Sequence, residues 1–188
     1  MARVQIRKFM LVDSAYVPKI LSGKKTTTIR FGDYEAKPGR DVYVVSRPSD
    51  TAVAKVLIRG VTKKRVGELT NEDARKDGFR DVKELLNALT RIYGPLDAED
   101  KVSVIEFELV KRVEPVPLKL LKGLNYREPG EVAKLYVESG VSAGKDVDII
   151  VSHIHEQGLK AALRKYGPAR VKKALLEAYH KLFAEGII

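Results

Sequence analysis

The chain contains no cysteine and no tryptophan, two methionines, and three histidines in 188 residues. Without cysteine, disulfides, thiolate catalysis, zinc fingers and iron–sulfur clusters are all excluded. His153 and His155 fall two positions apart in a helical pattern, hence on different faces, which argues against a shared metal ion. No metal or cofactor is expected. Long apolar runs are missing too: none approaches the roughly 18 residues of a membrane span. The opening MARVQIRKFMLV is too short and too interrupted by charge for a signal peptide. A cytoplasmic protein with no membrane partner is the expectation. Two glutamines and three asparagines stand against abundant Lys, Arg and Glu, a balance that leans toward a thermophilic source.

Acidic residues are scarce in two segments. Residues 1 to 31 hold seven Lys and Arg against Asp13 alone, and residues 159 to 181 hold seven against Glu177 alone. The net charge is +10, and an excess of cations attracts phosphate backbones by releasing their counterions. A merely soluble basic surface is the alternative reading.

The apolar pattern predicts an α+β protein. Val4 to Val12 reads as a strand with interrupted alternation, and Asp13 or Ser14 caps a short helix over Tyr16 to Leu21, with Pro18 in its first turn. The β-branched TTTIR, Asp41 to Ser46 and Ala52 to Val66 read as strands, the last bent near Gly60. Thr70 with Asp73, and Asp81 with Glu84, are capping boxes opening two helices that Gly78 and Gly94 close. Val102 to Val110 is the last strand of a small mixed β-barrel with inserted helices. Two prolines in EPVP, Glu114 to Pro117, mark a boundary. Beyond it three helices are expected, one with a stripe of Val147, Ile150, Val151 and Ile154. The chain is thus read as a domain over 1–113 and a helical extension over 118–188.

In this order of elements, ILSGKKTTTIR followed by PGRDVYVV, LTNEDARKDGF, ELLNALTRIY and VSVIEF resembles the ASCH domain, a PUA-like β-barrel family associated with RNA. The resemblance covers roughly residues 6 to 110. The family signature has the form GxKxxExR, whose glycine, lysine and arginine are matched by Gly23, Lys25 and Arg30. Thr28 stands where the signature has glutamate. A bacterial branch that hydrolyses the acetyl amide of N4-acetylcytidine also carries threonine there and uses the lysine and threonine in catalysis. Its third catalytic residue is a glutamate that aligns with Asp77, one methylene shorter. The resemblance therefore implies Lys25, Thr28 and Asp77 as a catalytic set. Other family members bind or cleave RNA, so fold alone does not fix the reaction.

Strand geometry sets a condition on this site. In a regular strand Lys25 and Thr27 share one face while Thr26, Thr28 and Arg30 share the other. Lys25 and Thr28 converge only if the chain is irregular near Gly23. Asp77, in the last turn before Gly78, sits where the helix dipole disfavours a negative charge, and Lys25 would offset it. The alternative is a solvated acid beside Arg75 and Lys76. For oxyanion stabilisation the candidates are Arg30 and backbone amides near Gly23.

Further nucleotide-binding candidates are Gly23, Lys24, Arg30 and Tyr34, with Phe31 and Tyr43 as other stacking platforms and Asp33 and Glu35 as readers of an amino group. In the helical region Lys165, Arg170, Lys172 and Lys173 form a basic face for phosphate contacts. Three functions follow as expectations: an RNA- or nucleotide-binding protein with its cleft at Gly23 to Arg30; a hydrolase acting on N4-acetylcytidine or on RNA; or a helical protein-interaction module.

Overall fold

The structure, a computed structural model, describes residues 4–188. Arg3, counted in the first basic segment, lies outside the described residues. The segment read as one opening strand is two. Strand β1 (Val4–Ile6) pairs in parallel with β4 (Tyr34–Ala36), while β2 (Phe9–Asp13) pairs in parallel with β5 (Asp41–Arg47) in a second sheet. The exposed Arg7 and Lys8 mark the place where the chain changes sheets. Their charge breaks the alternation that a single half-buried strand would keep.

The larger sheet has the order β2-β5-β6-β7-β3. Strand β5 is buried on both faces from Val42 to Ser46, as an unbroken apolar run requires. Strand β6 (Thr51–Arg65) is one long strand; its alternation ends after Ile58, beside Gly60, but its extended backbone continues. Strand β3 (Thr27–Phe31) lies antiparallel to β7 (Lys101–Pro117), with Thr28 opposite Ile105 and Arg30 opposite Ser103.

β2 and β3 are opposite edges of this sheet, yet the Arg30 guanidinium donates a hydrogen bond to the Leu11 carbonyl. The sheet has therefore curled until its two edges face each other across Arg30. Met10, Val12, Val44, Val56, Ile58 and Ile105 fill one core cluster, joined by Ile20 of α1 (Val17–Leu21). Ile29, Leu69, Ala74, Leu85 and Leu89 fill a second, which seats α2 (Asn71–Lys76) and α3 (Val82–Tyr93).

Local capping positions these helices. Asp13 accepts from the Ala15 amide at 2.8 Å and opens a single 3-10 turn before α1. Thr70 and Asp73 form the reciprocal box at the start of α2. At α3, Asp81 accepts from the Glu84 amide, but Glu84 returns its bond to Arg80, one residue before the expected partner. Gly78 adopts φ +85°, a left-handed conformation that ends α2 at little steric cost.

Two compact units divide between Val113 and Glu114. EPVP does not break the backbone: β7 continues through it to Pro117, because proline's fixed φ is compatible with an extended chain. Five helices follow rather than three: α4 (Leu118–Gly123), α5 (Pro129–Ser139), α6 (Lys145–Gln157), α7 (Leu159–Tyr166) and α8 (Pro168–Ala184). The additional break between α6 and α7 falls at Gly158, φ +84°. Val147, Ile150, Val151 and Ile154 are all buried in the resulting helical bundle. Glu114 ties the start of this unit to α7, accepting from the Leu159 and Lys160 amides at 3.1 and 2.7 Å.

Candidate functional site at the sheet seam

Gly23 adopts φ +72° in the turn after α1, and its amide bonds back to the Ile20 carbonyl. The next residues do not yet pair as strand. The Lys25 amide bonds to the Lys19 carbonyl and the Thr26 amide to the Lys76 carbonyl, and β3 begins only at Thr27. Lys25 therefore escapes strand alternation. It lines a small cavity, of about 70 Å³, together with Thr28, Arg30 and Asp77. Asp13, Tyr16, Phe79, Ile92 and Tyr93 line the same space.

Lys25 and Asp77 are each 4% exposed and Thr28 is 5% exposed, so this cavity is their route to a ligand. Lys25 Nζ bonds to Asp77 Oδ1 and, at 2.7 Å, to the Asp77 main-chain carbonyl. Asp77 is the C-cap of α2, so one cation meets both a carboxylate and a helix C-terminal carbonyl. Lys19 Nζ bonds to the neighbouring Gly78 carbonyl at 2.6 Å. The Tyr16 ring lies 5.2 Å from Lys25 Nζ, a cation–π contact, and meets Phe79 edge-on at 5.6 Å.

Burial dominates the titration of the pair. It lowers the Lys25 ammonium from the ordinary lysine value, and the Asp77 charge offsets this only in part. Burial likewise raises the Asp77 carboxyl, to about 6, against the opposing pull of Lys25. Both shifts favour the forms without charge and so narrow the gap between the two groups. Burial, followed by the Asp77 charge, also raises the Tyr16 hydroxyl. The arrangement supplies an amine closer to neutrality than a solvated lysine, in the same cavity as a hydroxyl.

Arg30 lines the cavity while one of its N–H groups is engaged by Leu11. The amides of Gly23, Lys25 and Thr26 are already bonded to main-chain carbonyls, which removes them as oxyanion donors and leaves Arg30 as the better candidate.

Other expected residues lie elsewhere. Lys24 is exposed in the turn and does not line the cavity. Tyr34 packs against the core and borders a different groove, because β4 belongs to the smaller sheet. Phe31 meets Tyr93 at 5.6 Å, and Tyr43 is buried beneath Lys55. Asp33 pairs with Lys63 and Glu35 borders the Tyr34 groove, so neither reaches the cavity.

In the helical unit Arg170 pairs with Asp146 and Lys173 with Glu177, the latter at 3.8 Å. Lys165 and Arg170 both approach the Tyr166 ring. Lys172 is half-buried. Asp146 arrives from another helix, so counting acids along one segment misses it. Asp13, Tyr16, Phe79 and Tyr93 carry no sequence mark as cavity residues; their meeting depends on the curl of the sheet, for which no local pattern exists. Among the described residues no group of three or more His, Asp or Glu is placed to hold a metal ion.

The family model of the ASCH domain matches residues 8–111. Among solved structures, the ASCH protein from Zymomonas mobilis is 15% identical, with TM-score 0.49, over 68% of this chain and 82% of that one. The ASCH domain from Lactobacillus crispatus JV V101 is 12% identical, with TM-score 0.42, over 58% of this chain and 80% of that one. None of the curated proteins compared with the chain matches it. With more than half of its length matched by the family model, the chain belongs to the ASCH domain family.

Proposed function

We propose that the first unit is an amide hydrolase acting on the acetyl group of an N4-acetylated cytosine. The observation that carries this reading is the buried Lys25 amine, held by Asp77 in the cavity that Thr28 also lines. Thr28 Oγ1 attacks the acetyl carbonyl carbon while neutral Lys25 takes the hydroxyl proton. A C–O bond forms and negative charge moves to the carbonyl oxygen, which Arg30 stabilises. The C–N bond then breaks, and Lys25 returns the proton to the departing N4 amine. Water, deprotonated by Lys25, attacks the threonine ester, releases acetate and restores Thr28. Asp77 orients Nζ and balances the charge that Lys25 gains.

A cavity of about 70 Å³ suits the acyl group and the edge of a base, with the sugar outside. Thr28→Ala should lower release of cytidine from N4-acetylcytidine by about 10²- to 10⁴-fold, the usual weight of a positioned proton-transfer or nucleophilic group. Thr28→Ser, which keeps the hydroxyl, should recover part of the rate. Equal rates for wild type and Thr28→Ala would exclude the threonine as nucleophile.

A second reading, RNA or nucleotide binding without turnover, draws on the net charge of +10. It is favoured if intact protein binds RNA, with affinity falling steeply with salt, but leaves N4-acetylcytidine unchanged.

A further inference from the structure

We infer that the mouth of the cavity is a ribose subsite, in which Asp13 accepts hydrogen bonds from the vicinal 2′- and 3′-hydroxyls of a ribonucleoside. This rests on the hydrolase reading for the identity of the base, while the subsite stands on the geometry of the mouth. Among the described residues that line the cavity, only Asp13 and Ile92 are exposed. Lys25, Thr28 and Asp77 are buried, so the reacting groups lie at its inner end and the two exposed side chains frame its opening. A cavity of about 70 Å³ is too small for a whole nucleoside. A cytosine that carries its acyl group in to Thr28 leads with N4, and the sugar, attached at N1 on the opposite side of the ring, stays at the opening.

Asp13 is the last residue of β2 and the cap of the 3-10 turn over Ser14–Tyr16. Capping occupies one carboxylate oxygen: Oδ1 accepts from the Ala15 amide at 2.8 Å. Oδ2 has no hydrogen-bond or ion-pair partner among the described residues. The other acid of the cavity, Asp77, is engaged by Lys25, so Asp13 carries the carboxylate oxygen left for a ligand. Serine or threonine would cap the turn as well. A carboxylate at this position adds an exposed acceptor at the rim. An ionised carboxylate accepts and never donates, so its complement is a hydroxyl donor, whereas a phosphate would bring like charge and further acceptors. At the same opening Ile92 of α3, 62% exposed, offers an apolar surface to the C–H face of the sugar.

The test compares N4-acetylcytidine with N4-acetyl-2′-deoxycytidine, using full-length wild type and Asp13→Ser. Serine keeps an oxygen that caps the turn but is one bond too short to reach the sugar. The ratio between two substrates within one protein cancels any loss of folded enzyme. The subsite predicts that wild type prefers the ribonucleoside by about tenfold or more in kcat/KM, the weight of a hydrogen bond to a charged group, expressed mainly in KM. Asp13→Ser should bring the ratio close to one. Equal kcat/KM for the two substrates in wild type, or a preference that Asp13→Ser retains, overturns the subsite. Where either protein hydrolyses neither substrate, calorimetric binding of cytidine and 2′-deoxycytidine decides. Tighter binding of cytidine by wild type, abolished by Asp13→Ser, upholds the ribose contact, and with an inactive wild type it does so while the hydrolase reading falls. Equal binding of the two nucleosides by wild type, binding of neither, or a preference for cytidine that Asp13→Ser retains overturns the subsite as well.

Discussion

Lys25 and Asp77 form one buried hydrogen-bonded pair, and their environment makes a signed prediction. The Asp77 carboxyl is raised from 3.8 to about 6 by burial, so the folded chain binds that proton more tightly than the unfolded chain. Its contribution to stability is therefore fully present below pH 3.8 and is lost as pH rises through about 6. Urea unfolding of wild type and Asp77→Asn between pH 3.5 and 7 checks this. The wild type should lose stability relative to the variant over that window, and a constant difference would contradict the raised carboxyl. Lys25 has the opposite dependence: its ammonium is lowered by burial, so the base form that the proposed hydrolysis requires accumulates below the ordinary lysine value of 10.5. Turnover should accordingly rise with pH and level off before that value. The glycine, lysine and arginine of GKKTTTIR are legible from the chain because they follow a family signature in a compact segment, and Thr28 because it departs from that signature at one defined position. Tyr16 and Phe79 are not, since an aromatic side chain carries no mark of which lysine it will face.

Among elements, the best-read features are those whose causes are local. Thr70 with Asp73 and the stop at Gly78 depend on a few neighbouring residues and a positive φ, and α2 begins and ends as they dictate. The opening segment defeats a local reading because its two halves pair with different partners, a choice made by β4 and β5 about 30 residues away. The helical unit has more breaks than the three expected helices allow, one of them at Gly158, where that glycine turns the chain and Glu114, 45 residues upstream, caps the new helix. That cap has a measurable consequence. Glu114→Ala removes the acceptor for two first-turn amides of α7 and should destabilise the helical unit by about 1 kcal/mol, the typical weight of an N-terminal cap. Hydrogen exchange at Leu159 and Lys160 should accelerate, with little change in α2 or α3. Uniform acceleration across the chain would show that the bond has no local role. In the first unit, Leu85→Ala should cost about 2–5 kcal/mol, because Leu85 is fully buried where α3 meets the second core cluster. A smaller loss in chemical denaturation would mean that the cluster refills the space.

For the whole molecule, the net charge of +10 favours anionic ligands without fixing the substrate of the seam cavity. No helix among the described residues is long and apolar enough to cross a membrane. The basic helical face read from Lys165 to Lys173 is partly neutralised by Asp146 and Glu177, which weakens the argument from linear charge counts. Reversing charge at Lys172 and Lys173 should still reduce RNA affinity and flatten its salt dependence if this unit grips phosphate, and unchanged affinity would assign the face to solvation. The curled sheet brings residues from β2, the 3-10 turn before α1, β3, the end of α2 and α3 to one cavity, so the site belongs to the fold of the first unit as a whole. The most direct measurement is chromatographic release of cytidine from N4-acetylcytidine by the intact protein and by Lys25→Ala, side by side at one pH. A hydrolytic centre at Lys25, Asp77 and Thr28 predicts turnover by the intact protein and its loss in the variant. No release by the intact protein, or equal release by both, would contradict that assignment.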